Sequence, residues 1–211
     1  YRDWLKPVTG TLSLHGPFID MASGSPDAKV NAVCYARYEQ AIRIAGELGA
    51  SIIVLHANFI GTLQNAFYRE GWHARNVEFY NQLAVVAQQH DVIIAMENMW
   101  EFDPTIIADL LAAVHHPNLR ACLDVGHAHL FSDRNFSFNH WLQVMAPWLV
   151  ELHMNNNNGV IDEHHGFDWQ GGVLDYHSIL AQMRALEMPL NMVLEMQSVE
   201  DMASSLHYFR L

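Results

Sequence analysis

His15, His56, Glu97, Asp124, His153 and Glu195 each stand directly after a short apolar run, and each carries a side chain able to hold a divalent cation. The runs are 11–14, 51–55, 92–96, 119–123, 149–152 and 190–194. A lone histidine or carboxylate in such a place is ordinarily a solvated or hydrogen-bonded loop residue. Six of six in the same relative position is not an accident of composition, even in a chain with 14 histidines. Carboxylates gathered at one point would be costly without a compensating cation. The chemistry this pattern suggests is therefore that of a bound divalent metal, which polarises a substrate oxygen or activates water.

Something must bring those six residues together. The apolar runs are rich in Val, Ile and Leu and alternate with longer stretches of helical period, the pattern of repeated βα units around a parallel sheet. In a barrel of such units the C-terminal ends of all strands open onto one face, where active sites are built. The expected fold is α/β, a TIM-type (β/α) barrel in one domain spanning 1–211. Only six strand runs are present, and 1–7 reads as the tail of a helix preceding the first, so about six of eight units are expected, with the first two missing. Helix starts are marked by Ser25 before Pro26, Asp103 before Pro104, Asp175 before Tyr176, and Ser198 followed by Glu200 and Asp201. The helix after Pro26 should end near Gly49 and bury Val30, Val33, Ala41, Ile44, Ala45 and Leu48.

Further candidates flank the strand ends. His127 follows Asp124 by three residues, with Gly126 between them to allow a tight turn. Asp162-Glu163-His164 reads as a two-ligand clip in which Asp162 and His164 share a side, although His165 competes with His164. The segment 59–72, with Phe67, Tyr68, Arg69 and Trp72, is a candidate lid, and Trp100 a candidate wall for a substrate's apolar face, against ordinary core packing for each aromatic.

Composition narrows the partners. The chain has 211 residues, 51% hydrophobic, with 23 acidic against 11 basic side chains and a formal charge of −12. That size buries one core, and that charge disfavours nucleic acid and anionic membranes. No apolar run is long enough to span a membrane, and the N-terminus has no signal-peptide pattern. Cys34 and Cys122 lack metal-motif spacing and are expected reduced and buried, which suggests a cytoplasmic protein. Oligomeric state is open, a homo-oligomer included.

Seven stretches together resemble the xylose isomerase-like barrel superfamily, which includes sugar phosphate isomerases and epimerases and the endonuclease IV group. They are Ser13-Leu14-His15-Gly16-Pro17-Phe18, Val54-Leu55-His56, Met96-Glu97-Asn98, Leu123-Asp124-Val125-Gly126-His127, Glu151-Leu152-His153-Met154-Asn155, Asp162-Glu163-His164 and Val193-Leu194-Glu195. In sugar-active members the resemblance implies one metal on Glu97, Asp124, His153 and Glu195, with Glu97 and Glu195 also exchanging protons with a sugar or sugar phosphate. In endonuclease-like members it implies three zinc ions, adding His15, His56, His127, Asp162 and His164. The acidic charge favours the isomerase or epimerase; the full ligand set favours a zinc phosphodiesterase. A mixed His and carboxylate shell suits manganese or zinc, with magnesium and cobalt also admitted.

Overall fold

The computed structural model describes residues 1–133 and 136–210. Six strands form one parallel sheet in sequence order: β1 (Ser13–His15), β2 (Ile52–His56), β3 (Ile93–Glu97), β4 (Leu119–Asp124), β5 (Leu149–Met154) and β6 (Asn191–Leu194). A short helix α1 (Arg2–Leu5) precedes β1, and α2 (Ala28–Leu48), α3 (Ala66–Gln89) and α4 (Thr105–Val114) follow β1, β2 and β3. Helices α5 (Val125–Phe131) and α6 (Phe138–Met145) lie between β4 and β5, α7 (Tyr176–Arg184) between β5 and β6, and α8 (Val199–Ser205) with a 3-10 turn, Leu206–Arg210, after β6. The expected TIM-type α/β architecture with six βα units is present. Among the described residues, the outer edges of β1 and β6 have no strand partner.

Strand periodicity separates two cores. Ile53, Leu55, Ile94, Met96, Leu123 and Leu152 join the large core under the helices, while Ile52, Val54, Ala95 and Cys122 form a small inner cluster. Successive strand side chains point to opposite faces. His56 therefore continues the inner row Ile52, Val54, and Glu97 continues Ile93, Ala95. Asp124 lies two residues past Cys122, His153 two past Glu151, and His15 two past Ser13. A one-residue slip of register would turn each ligand into the helix layer. Parallel pairing fixes that register, with His56 opposite Glu97 and Asp124 opposite His153.

Two expectations about α2 need correction. The buried stripe of α2 is Cys34, Tyr38, Ile42 and Ala45, whereas Val30, Val33 and Ile44 are exposed. The stripe against α3 and β2 lies further round the helix than the aliphatic residues suggest. The same helix is capped by Asp27, whose carboxylate accepts from Lys29 N at 2.8 Å; Ser25 Oγ accepts from Asp27 N just outside it. In the segment 59–72, Phe59 and Trp72 belong to the core, Arg69 is tied to Thr105 and Asp109, Phe67 is exposed, and Ile60, Tyr68 and Trp72 line a cavity beside His56. Asp175 and Ser198 cap their helices as expected, Asp103 accepts from Thr105 N from one residue outside the Pro104 cap of α4, and both cysteines are free and buried.

Candidate metal centre

All nine candidate residues meet at the C-terminal end of the sheet. They form overlapping groups whose ligand atoms lie within 4.8 Å of one another: His15, His56 and Glu97; Glu97, Asp124, His153 and Glu195; and His127, Asp162 and His164. Glu97 is fully buried and joins the first two. Its Oε2 lies 3.3 Å from His15 Nε2 and 3.1 Å from His56 Nε2, and its Oε1 lies 3.0 Å from His153 Nδ1. Glu195 Oε2 reaches the same His153 nitrogen at 3.1 Å.

Backbone carbonyls set the histidine tautomers. His15 Nδ1 lies 2.8 Å from the carbonyl oxygen of Gly16, His127 Nδ1 3.0 Å from that of Asn98, and His164 Nδ1 2.9 Å from that of Glu195. A carbonyl only accepts, so each Nδ1 carries the proton and a neutral ring presents the lone pair of Nε2. Those lone pairs face carboxylate oxygens: Glu97 for His15, and Asp162 at 3.3 Å for both His127 and His164. Lone pair facing lone pair is repulsive unless a proton or cation lies between them.

Whether these residues fit a metal can be judged from the atoms left over. Glu97 Oε2, Glu195 Oε2 and His127 Nε2 are buried without an aligned hydrogen bond, although each lies within 3.3 Å of a partner of opposite kind. Donors that approach one another yet aim past one another converge on a third point, and mixed imidazole and carboxylate sets suit divalent cations. The residues fit such an ion.

Without an ion, protons carry the compensation. Burial opposes charge on His127, but Asp124, Asp162 and Glu97 outweigh it and lift the imidazole to about 10. His15 and His164 are likewise raised, burial being outweighed chiefly by neighbouring acids, and so is His153, where Cys122 and then Glu97 and Glu151 outweigh it. Burial pushes the carboxyls of Glu97 and Glu195 up, yet the surrounding imidazoles win and hold both below the usual range. Burial prevails at Asp124, which is raised.

Several supporting residues escaped the sequence reading. Asn98 Oδ1 accepts from Asp124 N and Asn98 Nδ2 donates to Asp124 O, both at 2.9 Å, so one side chain joins the ends of β3 and β4. Asn155 Nδ2 donates to Asp124 Oδ2 at 3.0 Å. Glu151 lies beneath His153; its signal was the alternation Glu-x-His, which puts both on the inner face. Gly126 is helical and makes no turn: a Cβ there would meet Asn155 Oδ1 at 2.1 Å, so its role is close approach. His164 Nε2 faces Asp162 in the group with His127, while His165 stacks on Trp169. Beside His56 opens a cavity of about 600 Å³ whose walls include Phe18, Met21, Tyr68, Met99 and Trp100.

Residues 6–210 match the family described as Xylose isomerase-like TIM barrel. An uncharacterized protein of Methanocaldococcus jannaschii is 26% identical over 157 residues, 72% of this chain and 53% of that protein. The chain thus spans about half the length of the curated relative it matches. Among solved structures, the TTHB071 protein of Thermus thermophilus, soaked with ZnCl2, is 28% identical with a TM-score of 0.83, covering 99% of this chain and 80% of that one. A D-tagatose 3-epimerase-like protein has a TM-score of 0.85 at 19% identity, covering 99% and 79% of the two chains. An L-ribulose 3-epimerase has a TM-score of 0.77 at 16% identity, covering 98% and 70%. At such identities the two epimerase structures speak for the fold alone.

Proposed function

Because the chain belongs to the xylose isomerase-like TIM barrel family, we propose that it is a divalent-metal-dependent isomerase or epimerase of a sugar or sugar phosphate. The observation that carries this reading is the convergence of Glu97, Asp124, His153 and Glu195 from four different strand ends, with an oxygen on each of the two glutamates that makes no aligned hydrogen bond. These four would hold the ion, manganese or zinc by donor type. Such an ion supplies stabilisation of negative charge developing on the substrate's carbonyl oxygen. Glu97 and Glu195 are held ionised, so either can take a proton from the carbon beside that carbonyl, and the other can return one. His56 and His127 would hydrogen-bond substrate oxygens, and Trp100 and Phe18, which line the cavity beside His56, would offer aromatic faces to a sugar ring.

The group of His127, Asp162 and His164 favours a second reading, a multinuclear zinc phosphodiesterase acting on nucleic acid. A proton-exchange site has no evident use for a third ligand group, and the Thermus thermophilus relative was soaked with zinc. Against it stands the charge of −12 with 11 basic residues, since phosphate backbones are bound by Lys and Arg. We also read residues 1–211 as one barrel domain with room for two further βα units between β6 and β1. Unpaired edges there and the greater length of the solved relatives support this.

The two reactions separate in a paired assay on wild type, Glu195→Gln and His164→Ala. The isomerase reading expects metal-dependent solvent deuterium at the carbon beside a keto-sugar carbonyl, abolished in Glu195→Gln and little changed in His164→Ala. Cleavage of an abasic-site duplex without sugar exchange, lost by orders of magnitude in His164→Ala together with one ion per chain, would overturn it in favour of the phosphodiesterase.

A further inference from the structure

The inner row of a TIM barrel is normally filled with branched apolar side chains. Here β5 puts Glu151 in that row, fully buried and in register with Cys122 of β4. Its Oε1 accepts a hydrogen bond from the Ser13 hydroxyl at 2.7 Å, reaching from β5 across the interior to β1. The same oxygen lies 3.3 Å from Nε2 of His153, and Oε2 has no hydrogen-bond partner. The imidazole of His153 is thus bracketed, Nδ1 among Glu97 and Glu195 and Nε2 on Glu151.

We propose that Glu151, held by Ser13, is a positioning residue that fixes His153 with its proton on Nε2, so that Nδ1 is the atom presented to the metal. This rests on the metal centre proposed above. A carboxylate is acceptor-only, so a neutral imidazole touching it must donate, and the opposite nitrogen is then a free lone pair. A carboxylate behind a ligating histidine also raises the ligand's basicity, and loss of such a partner typically weakens metal binding ten- to a hundredfold. The geometry gives a reason for a glutamate in an apolar layer: it balances the cation one imidazole away, where an isosteric apolar residue would not. It also links β1, an edge strand, to the centre through a ligand that β1 does not itself supply.

Glu151→Gln tests this on the full chain, because the amide oxygen can still accept from both Ser13 and His153 while the charge is gone. Zinc affinity is read by chelator competition and cobalt coordination by its visible absorption, with nitrogen-15 spectra of the zinc-loaded protein reporting which ring nitrogen of His153 holds the ion. Expected are a ten- to hundredfold loss of zinc affinity and shifted cobalt bands. Ser13→Ala, which keeps the carboxylate and is the milder change to the fold, should shift both in the same direction by less. Wild-type affinity and unchanged cobalt bands in both variants, or a zinc-loaded His153 that holds the ion through Nε2, overturn the proposal. Wild-type protein that binds neither zinc nor cobalt overturns the metal centre as well, which separates the two failures.

Discussion

A buried imidazole beside three carboxylates must be charged or must hold a cation, and His127 makes the choice measurable. In the metal-free protein its folded value of about 10 stands above the ordinary value of about 6.5. A raised folded value means stability that is fully present below about pH 6.5 and lost as the pH rises through about 10. A metal ion replaces the proton, so loading should release it. Chelator-treated protein should accordingly lose thermal stability between about pH 6.5 and 10, while zinc-loaded protein should not. Zinc titrations near neutral pH in buffers of different ionisation enthalpy should report at least one proton released per chain. A flat melting profile for the chelated protein and no buffer dependence would contradict this account of the site.

Helix α5 shows how an element is fixed by what it must approach. Asp124 ends β4 and caps α5, its Oδ1 accepting from His127 N at 2.6 Å, so one carboxylate both starts the helix and faces the centre. Asn155 holds the other oxygen and fits only because Gly126 has no side chain. Gly126→Ala should cost about 1–3 kcal/mol through overpacking and weaken zinc binding, since Asn155 must leave Asp124. Denaturant titration and chelator competition check both, and an unchanged zinc affinity would show that Asn155 does not position Asp124. The strand ends were legible in sequence because alternation leads each inner row to a polar terminus. The packing of α2 was not, because Val30, Val33 and Ile44 form a stripe adjacent to Cys34, Tyr38, Ile42 and Ala45, and only neighbouring elements choose between them. Glu151 escaped a functional assignment for a similar reason: its partner Ser13 lies 138 residues away, and no local pattern joins them.

Across the whole molecule, burial of the ligands follows strand position. Glu97, Asp124 and His153, on β3 to β5, have side chains between 0 and 4% exposed, while His15 of β1 is 31% and Glu195 beyond β6 is 33% exposed. The edge strands are also short, three residues in β1 and four in β6. Each therefore has one unpaired side and few ladder bonds, the features of segments that open locally well below the global unfolding free energy. A metal that ties Glu195 to Glu97, Asp124 and His153 would fasten β6 to the centre of the sheet directly and β1 through Ser13, Glu151 and His153, adding stability by mass action in proportion to its occupancy. Hydrogen exchange should accordingly find the amides of β1 and β6 exchanging much faster than those of β3 and β4 in chelated protein. Zinc should slow β1 and β6 selectively, because β3 and β4 are already protected without it. If zinc protects every strand equally, it acts only on global stability. If it leaves β1 and β6 unprotected, Glu195 does not reach the ion, Ser13 and Glu151 do not couple β1 to it, and the centre is confined to the central strands.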